Sequence, residues 1–134
     1  AGALYPLEVY VVTREGVSHY LPTNHQLEHL TPAPIDLRRE LEDASLEQEA
    51  VGDAPAVFII AADYSRTERK YRRRAERYVK MEAGHACENL LLQATALDLG
   101  GVSIGAFDDD DVEELLNLPA DEEVLYVVPI GRPG

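Results

Sequence analysis

Apolar positions in this chain change period several times, and each change marks an element. Leu7–Thr13 (LEVYVVT) is rich in β-branched and aromatic residues and reads as a strand. Arg14-Glu15-Gly16 is a turn, and residues 17–21 (VSHYL) form a second strand, which predicts a hairpin. Pro22-Thr23-Asn24 and Thr31-Pro32-Ala33-Pro34 are breaks. Asp36 is placed to cap a helix running to about residue 42, with Leu37 and Leu41 at helical spacing, and residues 45–51 suit one more short helix. Ala56–Ala62 (AVFIIAA) has no polar alternation, so it predicts a strand buried on both faces.

Beyond it the period becomes helical. Residues 63–78 read as a helix with a basic face, and residues 78–99 as a long apolar helix. Ala83, Ala86, Leu90, Ala94 and Leu97 follow the three- and four-residue steps of one face, while Cys87, Leu91 and Leu92 cover much of the rest. Such a helix is expected to be wrapped on most sides. Gly100-Gly101 ends it, as residues that tolerate positive φ. Residues 102–107 make a short strand or extended turn. Asp108 to Asp111 supply a cap and first-turn acids for a helix through Leu116, closed by Pro119. Residues 124–130 (VLYVVPI) are the last strand, where Pro129 predicts an edge or a bulge. The pattern is α+β around one sheet, without repeats or linkers.

A chain of 134 residues, 46% hydrophobic and 28% charged, suits one globular domain with a core. No apolar run reaches the roughly 20 residues of a membrane helix. Glu82, His85, Glu88, Asn89 and Gln93 on the longest apolar helix assign it to a core or interface instead. No signal peptide is visible, and Cys87, the single cysteine, cannot form an internal disulfide, so the cytoplasm is the default. The net charge of −13 argues against a nucleic-acid partner. Seven of the 12 basic residues nevertheless fall between Arg66 and Arg77 (RTERKYRRRAER). That run is either a solvated helix face or a surface for a phosphate or an acidic partner. The chain opens on Ala1 inside what looks like a motif, so upstream sequence is expected.

Several segments are candidates for chemistry. In Ala1-Gly2-Ala3-Leu4-Tyr5-Pro6, small residues lead into a strand and allow close approach to the main chain. Between Gly100 and Asp108, three glycines separate a helix end from a helix start and expose backbone N–H groups, either as a plain turn or as donors to an electron-rich heteroatom. Arg132 suits a phosphate or a surface charge. Lys70-Tyr71 is either two surface residues or, if buried, an acid/base pair; because adjacent helical positions diverge by about 100°, joint action needs a kink or a loop. Glu82-x-x-His85 presents both groups on one helix face, yet a di-iron site needs two such motifs and further glutamates, so Glu82, His85, Asn89 and Gln93 read as a hydrogen-bonding stripe. His25 and His29 have metal-ligand spacing if helical, with no third ligand evident. Cys87 reads as a small core side chain. No metal site is expected.

Two blocks together, AGALYPLEVYVV at the start and residues 77–119 (RYVKMEAGHACENLLLQATALDLGGVSIGAFDDDDVEELLNLP), resemble the flavin-dependent nitroreductase family. Within it the chain looks most like the SagB-type dehydrogenases, which oxidise azoline rings to azoles in peptide maturation. Gly2 and Pro6 fall in step with the family's Pro-Ser-x-Gly-x-x-x-Pro segment, whose Pro-Ser is not in this sequence. The resemblance implies an α+β fold with a mixed, mostly antiparallel sheet flanked by helices. It implies FMN bordered by Gly2, Ala3 and Leu4 and by Ile104, Gly105 and Ala106, the latter presenting backbone to flavin N5. Some members carry an acidic residue where Gly105 stands. Arg132 is the one match to a phosphate-binding basic residue; the other, an arginine on an N-terminal helix, lies outside this sequence. Lys70 and Tyr71 match a SagB-type Lys-Tyr pair implicated in azoline oxidation. The resemblance further implies a homodimer with flavin at the interface, and a small-molecule or peptide substrate. The alternatives are an NAD(P)H-dependent nitro- or quinone reductase, which needs no Lys-Tyr pair, and a non-catalytic remnant without FMN.

Overall fold

A computed structural model describes all residues, 1–134. The strands are β1 (Leu7–Thr13), β2 (Gly16–Leu21), β3 (Gln26–His29), β4 (Ala56–Ala62), β5 (Gly100–Gly101) and β6 (Glu123–Gly131). They form one sheet in the order β3-β2-β1-β4-β6-β5, and every neighbouring pair is antiparallel. The helices are α1 (Arg38–Ala44), α2 (Glu49–Asp53), α3 (Ser65–Tyr71), α4 (Ala75–Ala96) and α5 (Asp109–Leu115). The expected hairpin is present, with Tyr10 opposite His19 and Thr13 opposite Gly16.

β4 lies inside the sheet, as its unbroken apolar run requires. Val57, Ile59 and Ala61 join Tyr10 and Val12 in a core closed by Leu41 and Ala44 of α1, Val51 of α2 and Val112 of α5. Ile60 turns to the opposite face, where Ala83, Cys87 and Ala94 of α4 pack on it and on Val128. Ala75, Val79, Ala83 and Cys87, four apart, form the buried line of α4. Their small size lets the helix lie close on the sheet. Of the apolar face expected from the sequence, Ala83 and Ala94 are buried and Leu90 packs on the same cluster, whereas Leu97, past the last helical residue, is 61% exposed, and Leu92 and Met81 elsewhere on the helix are 59% and 55% exposed. α4 is covered on one side, not most.

Four further expectations are corrected. β3 was not anticipated, because its four residues are all exposed and lack an apolar alternation. The short helix expected at 45–51 begins at Glu49 instead, since Leu46 and Glu47 both take positive φ. Gly100 and Gly101 do not stop α4. Asp98 does, at φ 57, with Leu99 N–H donating to Ala94 C=O and Asp98 N–H to Thr95 C=O, the paired bonds of a Schellman motif. Pro129 occupies an interior strand, paired with Val57. The Val127 N–H donates toward Ile104, so the position two residues on faces the same side, where residues 102–103 make no ladder and no N–H is needed.

The run 63–78 is not one helix. α3 ends at Arg72, whose φ of 51 and ψ of −128 lie outside the regions most side chains adopt, and a 3₁₀ turn over Arg72–Arg74 leads into α4. No glycine or proline marks this break. It falls directly after Tyr71, so Lys70 and Tyr71 form the end of a short helix beside a sharp change in chain direction.

Candidate functional site at the start of β1 and the end of α3

Asp63 lies just before α3, and its Oδ1 accepts from the Ser65 N–H at 3.0 Å and the Ser65 hydroxyl at 2.6 Å. Those bonds hold the Asp63 carboxyl below the usual carboxylate range. The helix then presents Arg66 toward the N-terminal segment. Its guanidinium reaches Glu8 Oε1 at 2.7 Å and Asp63 Oδ2 at 3.2 Å, and it donates to the Tyr5 carbonyl at 3.1 Å. One turn later come Lys70 and Tyr71. Lys70 Nζ lies 5.3 Å from the centre of the Tyr71 ring, and Tyr71 meets Tyr78 edge to face at 5.0 Å. Lys70 is exposed and Tyr71 half-buried. The chain by itself does not bury the lysine, which the acid/base reading asks for.

Gly2 packs on this pair. A Cβ at Gly2 would stand 2.8 Å from the Tyr71 hydroxyl and 3.1 Å from Lys70 Nζ. A side chain at Gly2 would push the ends of Tyr71 and Lys70 aside and would be strained at the Gly2 φ of +64. Ala3 and Tyr5 also take left-handed φ, 52 and 49. Non-glycine residues there cost roughly 1 kcal/mol each. Two segments chosen separately in the sequence, Gly2-Ala3-Leu4 and Lys70-Tyr71, are thus brought together.

The second glycine segment lies on the other flank of α4. The Ile104 N–H and C=O both bond to Val127, which anchors the segment to the middle of β6. The amides of Gly105 and Ala106 donate to no backbone carbonyl, while the Ala106 carbonyl accepts from the Gln48 side chain at 2.9 Å. A Cβ at Gly105 would meet nothing within 4 Å. Gly105 borders a cavity of about 300 Å³ with Lys80, Ala83, Leu125 and Tyr126. Gly2 is not among its walls. On α4, Lys80 and Glu82 face opposite flanks of the buried line through Ala83, and the Ala1 nitrogen lies 3.5 Å from Glu82. Within one chain the two glycine segments do not close on one cavity.

Arg132 is farther away still. It borders a cavity of about 380 Å³ with Pro55, Gly100 and Gly101, at the end of the sheet where Ala56 opposes Ile130. Gly2 precedes the other end, where Leu7 opposes Ala62. The seven residues of β4 separate these ends by about 20 Å.

A polar network missed in the sequence lies between them on β1. Tyr10 donates to Glu122 at 2.5 Å and stacks on His19 at 4.7 Å, and His19 Nε2 meets Glu8 Oε2 at 2.6 Å. Burial, then the Glu122 carboxylate, pushes the Tyr10 phenol up. Burial, against the Tyr10 hydrogen bond, also raises the Glu122 carboxyl. Its signal was available: Glu8 and Tyr10 alternate with Leu7 and Val9, so they point together to one side of the sheet.

The metal candidates do not assemble. His25 sits in a turn at φ 52 and His29 on β3, so their spacing is not helical. No group of three or more His, Cys, Asp or Glu side chains is arranged to hold a metal ion. Cys87 is buried, and burial raises its thiol. No helix is long and apolar enough to cross a membrane.

The Nitroreductase family model matches residues 1–132. A protein of Methanocaldococcus jannaschii assigned as a nitroreductase is 44% identical over 138 residues, covering 98% of this chain and 68% of its own length. A solved structure assigned as a nitroreductase from Anabaena variabilis shares 35% identity at a TM-score of 0.88, over 96% of this chain and 27% of that one. The Escherichia coli microcin synthetase complex, with a truncated microcin precursor bound, contains a chain matched at 25% identity and a TM-score of 0.87, over 99% of this chain and 54% of that one. This chain therefore spans about two thirds of the archaeal relative and less of the two solved chains. On its sequence, its antiparallel sheet and its flanking helices alike, the chain belongs to the nitroreductase family.

Proposed function

We propose that this chain is the greater part of an FMN-dependent oxidoreductase acting on azoline rings in peptides, in the manner of the SagB-type dehydrogenases. The observation that carries the reading is the packing of Gly2 on the Lys70 ammonium and the Tyr71 hydroxyl. A main-chain segment bare enough to border a flat ring thereby stands beside two groups able to move a proton. The likeness to the microcin synthetase, a complex with truncated pro-MccB17 bound, is in keeping with this reading.

The residues present fit the ring of FMN. The free amides of Gly105 and Ala106 supply donors without side chains, and the space above Gly105 admits a ring edge. FMN, when bound, supplies a hydride acceptor, and a second substrate or dioxygen resets it. Lys70 Nζ as the free amine, or Tyr71 Oη as the phenolate, would take the proton from the azoline Cα, and FMN would supply the acceptor for the hydride lost from the adjacent ring carbon, so that the ring becomes an azole. Gly2, Ala3 and Leu4 orient the ring from one side. Because Gly2, Gly105 and Arg132 do not meet within one chain, the reading requires a homodimer, with one copy supplying the Gly2 segment and its partner the Gly105 segment. The exposed Met81 and Leu92 on α4 support it.

A broader reading, nitro- or quinone reduction with NAD(P)H, is favoured by the archaeal relative's assignment. Purified protein separates them. Tyr71→Phe and Lys70→Ala are expected to keep FMN and to lose about 10²-fold in azoline oxidation. Unchanged oxidation with FMN bound refutes the role of the pair, and rapid NADPH oxidation with nitroaromatics, without azoline turnover, selects the broader reading. Protein that takes up no FMN is the non-catalytic remnant.

A further inference from the structure

We propose that Arg66 is a positioning residue that holds the Gly2–Tyr5 segment against Lys70 and Tyr71. Three observations converge on it. Besides the Lys70 and Tyr71 contacts with Gly2, Arg66 ties α3 to the N-terminal segment by a hydrogen bond to its main chain, at the Tyr5 carbonyl. It lies four residues before Lys70, on the same helix face, so any movement of the arginine relative to the helix is felt at that level. Ala3 and Tyr5 take left-handed backbone conformations, and such residues persist only where neighbouring structure fixes them.

The arginine is itself fixed from two sides. Asp63 holds its Nε from just before α3, and Glu8 of β1 holds its terminal nitrogen. The second oxygen of Glu8 is taken by His19 of β2. A chain of contacts therefore runs from β2 through β1 to the main chain at Tyr5. The flat, forked guanidinium is required, because a lysine cannot reach Glu8, Asp63 and Tyr5 at once. Sequence alone assigned Arg66 to an undifferentiated basic face. In the structure it is the one residue of that run with carboxylate partners on a strand, whereas no ion pair forms to Arg69, Lys70, Arg72, Arg73, Arg74 or Arg77.

The consequence for catalysis rests on the flavin reading above, but the positioning does not, and the test keeps the two apart. In flavin-free, isotope-labelled protein, the Gly2 Hα directed at the Tyr71 ring gives a nuclear Overhauser effect to the ring protons. Arg66→Gln is expected to abolish it while sequential effects within α3 remain; Arg66→Lys, which keeps the charge and a single donor nitrogen in place of three, is expected to retain part of it. Glu8→Gln keeps an acceptor for Arg66 but drops the charge, and gives an intermediate signal even if Arg66→Gln does not fold. An unchanged signal in the folded Arg66 and Glu8 variants overturns the proposal. In the FMN-loaded enzyme, Arg66→Gln is expected to lower kcat at least tenfold with KM moved less than twofold, with partial rescue by Arg66→Lys. A lost Overhauser effect with unchanged kcat overturns the catalytic consequence. Wild-type protein that shows the effect but binds no FMN removes the flavin reading and leaves the positioning standing.

Discussion

Replacing Gly105 by alanine separates the needs of the fold from those of a ligand. In the protein alone the added methyl meets no atom within 4 Å, and Gly105 does not take a positive φ. Alanine there costs nothing in the folded state and restricts the unfolded chain, so it stabilises by about 0.4–1 kcal/mol. For a domain of this size that raises Tm by about 1–5 °C. The same methyl points into the cavity shared with Lys80, Ala83, Leu125 and Tyr126. If the flavin edge packs there, overfilling costs about 1–3 kcal/mol, which weakens FMN by about 5- to 150-fold. Calorimetry on flavin-free protein and titration of FMN fluorescence quenching measure the two halves. The expected result is a higher Tm together with weaker FMN. A higher Tm with unchanged FMN affinity removes the flavin from Gly105. A lower Tm refutes the steric reasoning itself.

Two further outcomes follow from the fold. Asp98→Gly relieves a left-handed non-glycine residue at the C-terminus of α4 and is expected to stabilise by about 1 kcal/mol, read as a higher urea midpoint at unchanged slope. Glu122 has its carboxyl raised by burial, so the stability linked to it is complete below the unfolded value of 4.5 and is lost as pH rises through the folded value. Glu122→Gln keeps an acceptor for Tyr10 and escapes that loss; its Tm relative to wild type is expected to climb from pH 4 to pH 8, and a flat or falling difference contradicts the assignment.

Where burial imposes a period, the chain could be read. Residues 7–13 and 56–62 declared themselves by β-branched and unbroken apolar runs, and Asp108 by its position before three acids, where it accepts from the Asp111 N–H. β3 escaped because an exposed edge strand needs no pattern. The buried side of α4 was legible in Ala83 and Ala94, but its wrapping on most sides was not borne out, because only the line of small side chains packs on the sheet and Leu92 stays exposed. The break at Arg72 had no glycine or proline to announce it. The individual pieces of the site were visible as bare backbone and as Lys70-Tyr71. That Gly2 lies on Lys70 and Tyr71 was not, because the contact joins positions nearly 70 residues apart through the registers of β1 on β4.

The same registers bear on assembly. Leu7 opposes Ala62, and Ala56 opposes Ile130, so the sheet carries Gly2 and Arg132 to opposite ends. α4 stands between Gly2 and Gly105. No rotamer change brings these three residues to one ring, because strand pairing fixes the main chain that bears them. A flavin bordered by both glycine segments therefore demands a second copy, and α4, which leaves Met81 exposed between Lys80 on the Gly105 flank and Glu82 on the Ala1 flank, is the element positioned to recruit it. If the flavin-loaded protein proves monomeric in light scattering, either the Gly2 segment or the Gly105 segment must be released from the flavin, and the effect of Gly105→Ala on FMN affinity decides which.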